Sequence, residues 1–257
     1  MVVRLLEKIG HNVISGLENG GKVIRLSTDA VVQLRHKPNW NHVLQQMVHL
    51  GVDSLPIVML TMLFTGMVLT VQTAHEFIRY GAQASVGGVV FIAMGRELAP
   101  VLTAVVIAGR VGAAITAEIG SMKVTEQIDA LKVMATNPVA YLVVPRLISC
   151  IVMLPILGIF ANVIGTVGGY LVATSYSGIS SFSYLHSIKL FAVITDVTGG
   201  LIKTMVFGAI VAIIGCYKGL NTAQGAEGVG RATTGSVVTS MILIFISNYF
   251  LSLMLYR

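Results

Sequence analysis

Residues 54–74 read SLPIVMLTMLFTGMVLTVQTA, a run without a single Asp, Glu, Lys, Arg or His. An α-helix rises about 1.5 Å per residue, so roughly 20 apolar residues cross the hydrocarbon layer of a bilayer. Backbone amides in hydrocarbon must be satisfied within their own segment, and helices do this. The run therefore predicts a spanning helix, with Pro56 near its start where a missing N–H is harmless.

Similar segments follow. A second span is predicted over residues 86–116, although it contains Arg96, Glu97 and Arg110. No Asp, Glu, Lys or Arg falls between Arg146 and Lys189. That interval holds a third span to about residue 173 and then a Ser/Gly-rich loop, TSYSGISSFSY, expected to interrupt the run. A fourth span over residues 191–217 contains Asp196 and Lys203, and a fifth covers residues 232–256. The expected fold is an all-α integral membrane protein with five spans over residues 47–257, preceded by an N-terminal helical segment over residues 1–46.

Composition agrees. The chain of 257 residues is 55% hydrophobic and 11% charged, too little charge to cover a water-facing surface. The formal net charge of +6 is read as membrane topology and not as a nucleic-acid surface, because Lys and Arg gather in the N-terminal segment and in the 117–145 and 217–231 connections. Short positively charged loops stay in the cytoplasm, so the N-terminus is expected inside and the C-terminus outside. Arg79 and Lys189 are the exceptions. Val2, Leu6, Ile9, Val13 and Leu17 recur at helical spacing with Arg4, Lys8 and His11 between them, the pattern of a helix lying in the membrane interface or packed on a partner. The stretch containing Arg35, Lys37 and Pro38 is expected to be polar and cytoplasmic. Charge every few residues at the N-terminus gives no cleavable signal sequence and no transit-peptide pattern. Cys150 and Cys216 lie in apolar runs and are read as small buried residues.

Several motifs fail on context. Gly16, Gly21 and Lys22 have P-loop spacing, but Val23 stands where Ser or Thr should hold magnesium and no strand precedes them. The cluster Gly225, Gly228 and Gly230 before Arg231 lacks the strand-turn-helix setting of a dinucleotide loop and is read as a tight turn before the last span. His75-Glu76 is followed by Phe77, Ile78 and Arg79, so no HExxH metal site exists and none is expected. His186 with the loop serines is read as a solvated turn, not a nucleophile and base. Small residues at four-residue spacing, Gly165 with Gly169 and Gly109 with Ala113 and Ala117, permit close helix contact within or between subunits.

Charge inside a span is costly unless it meets a partner or a cavity. Arg96 and Glu97 lie about ten residues into their span, near the midplane at ~1.5 Å per residue. They project about 100° apart and so should have different partners. Lys203 lies at comparable depth. Glu97 and Lys203 form a structural pair, or the three line a polar cavity whose cations attract phosphate; both readings stand at this level. Between spans two and three, residues 117–136 are charged and periodic. Met122, Ile128, Leu131 and Met134 form an apolar face suited to docking on a soluble partner or against the chain's own bundle.

GRELAPVLTAVVIAGRVGAAITAEIGSMKVTEQIDAL (95–131), NPVAYLVVPR (137–146) and GAEGVGRATT (225–234), in this order, resemble the MlaE family of ABC-transporter permeases. The resemblance extends over most of residues 50–257. It implies a permease without catalytic residues, working as a homodimer with two cytoplasmic ATPase subunits that hold ATP and Mg, and with an MCE-domain protein on the outer face. Phospholipid would be moved between the inner and outer membranes. Arg96 and Glu97 match the pair facing the family's lipid cavity, with Lys203 beside them and Leu69, Phe77 and Tyr80 as further lining candidates. Residues 118–133 match the coupling helix, with Glu118, Gly120, Thr125, Glu126, Asp129, Leu131 and Val133 as ATPase-coupling candidates. Another hydrophobic cargo, such as a sterol or organic solvent, and a non-transporting scaffold are the competing readings.

Overall fold

The computed structural model describes the backbone of residues 2–34 and 40–256, with side chains from residue 17 onward in those ranges and that of Ile14. Among the described residues all regular structure is helical. The helices are α1 (Val2–Gln33), α2 (Trp40–Leu50), α3 (Leu55–Arg79), α4 (Val86–Ala93), α5 (Ala99–Ile107), α6 (Ala113–Val124), α7 (Gln127–Val133), α8 (Val144–Ser175), α9 (Ser181–Phe191), α10 (Ile194–Leu220) and α11 (Gly225–Leu255). Five segments are long and apolar enough to cross a membrane: Trp40–Arg79, Gln83–Val124, Val139–Ser175, Ile194–Leu220 and Gly225–Leu255. The five expected spans are present, each with somewhat different bounds.

Two expectations are corrected. The Ser-rich stretch after span three turns only over residues 176–180 and then forms α9, because Ser180 caps it by accepting a hydrogen bond from the Ser183 amide at 3.2 Å. α9 packs on α4, where Gly88 N–H donates to Ser187 Oγ at 3.0 Å. His186 stacks on Phe182 at 5.4 Å between ring centres, facing an aromatic and not a serine. The second correction concerns the glycine cluster at 225–230, expected as a tight turn before the last span: the turn falls on residues 221–224 and the cluster itself is helical. Gly225 is the first residue of α11. The side chains of Arg4, Lys8 and His11, and residues Arg35, Lys37 and Pro38, lie outside the described residues, whereas the P-loop-like spacing from Gly16 to Lys22 falls inside α1.

Glycine sets how closely the spans approach. A Cβ on Gly66 of α3 would stand 1.9 Å from the Gly165 carbonyl oxygen of α8, so the two backbones touch directly. Gly165 and Gly169 thus make close contacts within the chain, as their spacing suggested. Gly109 does not: a Cβ there would meet nothing within 4 Å. Met62, Met94, Leu157, Ile107 and Phe207 fill the interior between these contacts. Cys150 and Cys216 are buried and unbridged. α11 lies at the margin, and its Val238, Ile242, Phe245 and Tyr249 are exposed.

Span two is one continuous helical path with two wide, i→i+5 turns, Met94–Leu98 and Ala108–Gly112; a third, Val139–Val143, opens span three. Pro100 and Pro145 each follow such a turn at the second position of the next helix. A proline cannot return the i→i−4 bond, and a wide turn absorbs the local misfit.

Substituting Gly66 with Val is expected to lower stability by about 1–3 kcal/mol, since backbone rather than a movable side chain blocks it. Gly20→Ala, where a Cβ meets nothing within 4 Å, should instead be neutral or stabilise by up to about 1 kcal/mol. Unfolding midpoints of both variants in mild detergent check the pair.

Candidate functional site

The Met94–Leu98 wide turn carries Arg96 and Glu97 to different neighbours, as their angular separation required. Arg96 Nε donates to Asp196 Oδ1 at 2.7 Å, and Nη2 stands 2.7 Å from the same oxygen. Asp196 is fully buried and also accepts from the Val193 amide at 3.2 Å, closing the first turn of α10. Glu97 Oε1 pairs with Lys203 Nζ at 2.8 Å, and its Oε2 accepts from Asn248 Nδ2 at 2.9 Å.

Lys203 is fully buried, and each of its three N–H groups has an acceptor at 2.8 Å: Glu97 Oε1, Ser252 Oγ and the Arg96 carbonyl. The last acceptor has a covalent cause. Pro100 has no N–H to give to the carbonyl four residues before it, and that carbonyl belongs to Arg96. Ser252 Oγ also lies 2.8 Å from Glu97 Oε1 and from the Asn248 carbonyl, one of which takes its hydrogen. Tyr256 covers the group, with Arg96 Cζ and Lys203 Nζ each 4.9 Å from its ring centre and its hydroxyl donating to the Asp196 carbonyl at 3.4 Å.

Two cations and two carboxylates thus form a neutral cluster. It is open on one side: the Arg96 and Glu97 side chains are 36% and 41% exposed, whereas Asp196 and Lys203 are at 0%. Behind the same turn lies a cavity of about 180 Å³ walled by Phe91, Gly95, Pro100, Asn162 and Thr204. Asp196 is the third residue of α10 and Tyr256 directly follows α11. The cluster therefore extends from mid-span to the bundle end opposite α7, not at the midplane alone.

The other lining candidates are placed separately. Leu69 lines a groove of about 510 Å³ with Phe64, Val68, Gln72 and Leu98. The groove reaches the charged turn through Leu98, the neighbour of Glu97. Phe77 is half-buried in α3, and Tyr80, just beyond it, is 78% exposed. Sequence reasoning assigned no role to Asp196 and missed Asn248, Ser252 and Tyr256. Their signal was available: polar side chains at i, i+4 and i+8 in an otherwise apolar helix.

The 117–136 segment is not one helix. α6 continues span two to Val124, Glu126 takes a left-handed conformation (φ 59°), and α7 is only seven residues long. Ile128 is buried and Leu131 and Met122 half-buried, so the expected apolar face largely turns toward the chain itself. Met134 and Val133 are exposed, at 66% and 88%. Glu118 pairs with the buried Arg146 at 2.8 Å, tying α6 to α8. Gly120 is packed against Thr222 and Val229. Thr125, Glu126 and Asp129 face solvent. A hydrogen bond from Lys132, with Lys123 nearby, holds the Asp129 carboxyl below its ordinary range. Arg110, the remaining charge of span two, donates to the buried Ser54 hydroxyl.

These features define a multi-span membrane protein with a charged centre where its second, fourth and fifth spans meet. The chain belongs to the MlaE permease family, whose model matches residues 43–254. It is 50% identical over 224 residues to a probable ABC transporter permease of Synechocystis sp., covering 87% of this chain and 85% of that protein. It is 42% identical over the full length of both chains to a probable ABC transporter permease of Rickettsia typhi. It is also 41% identical over 219 residues to the chloroplastic protein TRIGALACTOSYLDIACYLGLYCEROL 1 of Arabidopsis thaliana, covering 85% of this chain and 63% of that protein.

Replacing Lys203 with Met should destabilise the fold, because Glu97 then keeps only Asn248 and Ser252. Adding Glu97→Gln should recover part of the loss, with a coupling of about 1–3 kcal/mol in a double-mutant cycle. Chemical denaturation of the four proteins in detergent measures it.

Proposed function

We propose that this chain is the membrane-spanning, non-catalytic subunit of an ATP-driven ABC transporter that moves phospholipid between the inner and outer membranes. In this reading it sits in the inner membrane of a bacterial-type envelope, N-terminus in the cytoplasm and C-terminus on the outer side. It works as two copies, with a cytoplasmic ATPase that holds ATP and Mg and an MCE-domain protein on the outer face. The distribution of Lys and Arg supports that orientation, and the unpacked Gly109 leaves a small-residue surface for a second copy.

The observation that carries the reading is the one-sided opening of the charged cluster, with Arg96 and Glu97 over a third exposed beside fully buried Lys203 and Asp196. An intramembrane charge with an open side faces a cavity or another copy, and such charges mark substrate paths. Arg96 can give a lipid phosphate the fork of N–H groups now turned to Asp196, while acyl chains lie along the Leu69 groove. ATPase closure, transmitted through the exposed Thr125, Glu126 and Asp129, changes how the spans bind that lipid; transport needs such a difference between states. One fact favours an uncharged apolar cargo as the second reading: both cations already have carboxylate partners. The name of the Arabidopsis relative contains a diacylglycerol lipid, which supports a two-chain lipid as cargo and carries no phosphate with which to choose between the readings.

A tagged chain is isolated in mild detergent and its co-purifying proteins and lipids are identified by mass spectrometry. An ATPase and phospholipid are expected. Reversing Glu126 and Asp129 to Lys should release the ATPase and keep the lipid, and Arg96→Gln should reduce retained phospholipid about tenfold. A chain that emerges with neither partner nor lipid would sink the proposal.

A further inference from the structure

At the bundle end that carries α7, the helix α1, the last turn of α10 and the start of α11 enclose a polar hollow of about 510 Å³. Lys218 of α10 and Arg231 of α11 face it, together with Asn19, Asn221, Gln224 and Glu227. Among the described residues, the ammonium of half-buried Lys218 makes no hydrogen bond or ion pair with the protein, although its backbone carbonyl accepts from Thr222 Oγ1 at 3.0 Å. Its Nζ lies 3.9 Å from the place a Cβ on Gly235 would occupy, one helical turn from Arg231. Arg231 has Glu227 at 3.2 Å, but the two side chains are 84% and 88% exposed, a pairing of little strength. The hollow thus has two cations, one weakly held carboxylate and a positive balance.

Neutral donors complete it. Asn19 accepts from the Tyr217 hydroxyl through Oδ1 at 3.1 Å, which leaves its Nδ2 free to donate. Gln224 makes no side-chain cap on α11. With two cations and one weakly held carboxylate on its walls, the hollow favours an entering anion.

We propose that this hollow binds a phosphate ester, with Lys218 and Arg231 on the phosphate oxygens and Asn19 alongside. The volume exceeds that of a bare phosphate, so an attached glycerol or similar polar group fits with it. The site is separate from the Arg96 cluster, at the opposite end of the bundle, and does not depend on the transport reading.

The ester can belong to a lipid headgroup or to a soluble molecule, and the test separates them. The full chain in a neutral detergent is unfolded thermally against rising dihexanoyl phosphatidylglycerol and, separately, glycerol 3-phosphate. A saturable rise in the midpoint gives a dissociation constant. Response to the lipid alone assigns a headgroup held with its chains; response to both assigns the phosphate ester itself. The Lys218→Gln, Arg231→Gln double variant should weaken binding about tenfold or more, whereas Lys218→Arg should stay within about threefold of the parent. Measured in the Arg96→Gln background, where any phosphate binding by the cluster at the other end is weakened, the difference made by Lys218→Gln with Arg231→Gln should persist. If the double variant does not fold, Asn19→Leu alone should still weaken binding by about threefold. No saturable response to either ligand, or an unchanged constant in the charge-removed variants, overturns the proposal.

Discussion

A lysine ammonium without water needs three acceptors, and much of the bundle is arranged around that requirement at Lys203. One acceptor is a carboxylate from span two, one a hydroxyl from span five, and one a backbone carbonyl that a proline has released. Removing any of them leaves a polar group short of a partner, at a cost of about 1–3 kcal/mol, a sizeable share of a typical margin of stability. The three spans are therefore held in one relative arrangement by chemistry rather than by apolar packing, which in lipid has little preference of its own.

Packing elsewhere follows a different rule. α3 and α8 meet backbone to backbone at Gly66 and Gly165, where dispersion over a close contact replaces the hydrophobic effect. α11 has neither device along most of its length, and its exposed apolar face is what a span at the margin of a bundle shows to lipid or to another copy. The charged cluster ties down its C-terminal end through Asn248, Ser252 and Tyr256, while Ser236, Ser240 and Ile244 are its buried positions nearer the start.

Much of this was legible in the sequence. Uncharged runs of sufficient length marked the spans, and the lone charges Arg96, Glu97 and Lys203 marked the centre, because both signals arise from the cost of polarity in hydrocarbon. The adjacency of Arg96 and Glu97 gave separate partners from helix geometry alone. The Glu97–Lys203 pair was one of two open readings. The break in the 117–136 segment was not legible: its periodicity continues across Glu126, and nothing in residue type announces its left-handed turn. α9 was hidden by serines, which favour loops and helix caps equally. Ser252 and Asn248 escaped notice because a single hydroxyl or amide in an apolar helix is common and gains meaning only when a charge stands opposite.

The wide turns of span two have a consequence for phase. Each accommodates one residue beyond the regular repeat, and one residue is worth about 100° of rotation. Two such turns between Met94 and Gly112 turn everything downstream by roughly 200° from where an unbroken helix would point it. The side on which Glu118 meets Arg146, and the direction in which α7 leaves the bundle, are therefore set by two insertions far up the same helix. Span two behaves as a shaft with its two ends keyed at different angles, and deleting a single residue at either wide turn would re-aim its inner end without changing its length or its apolar character.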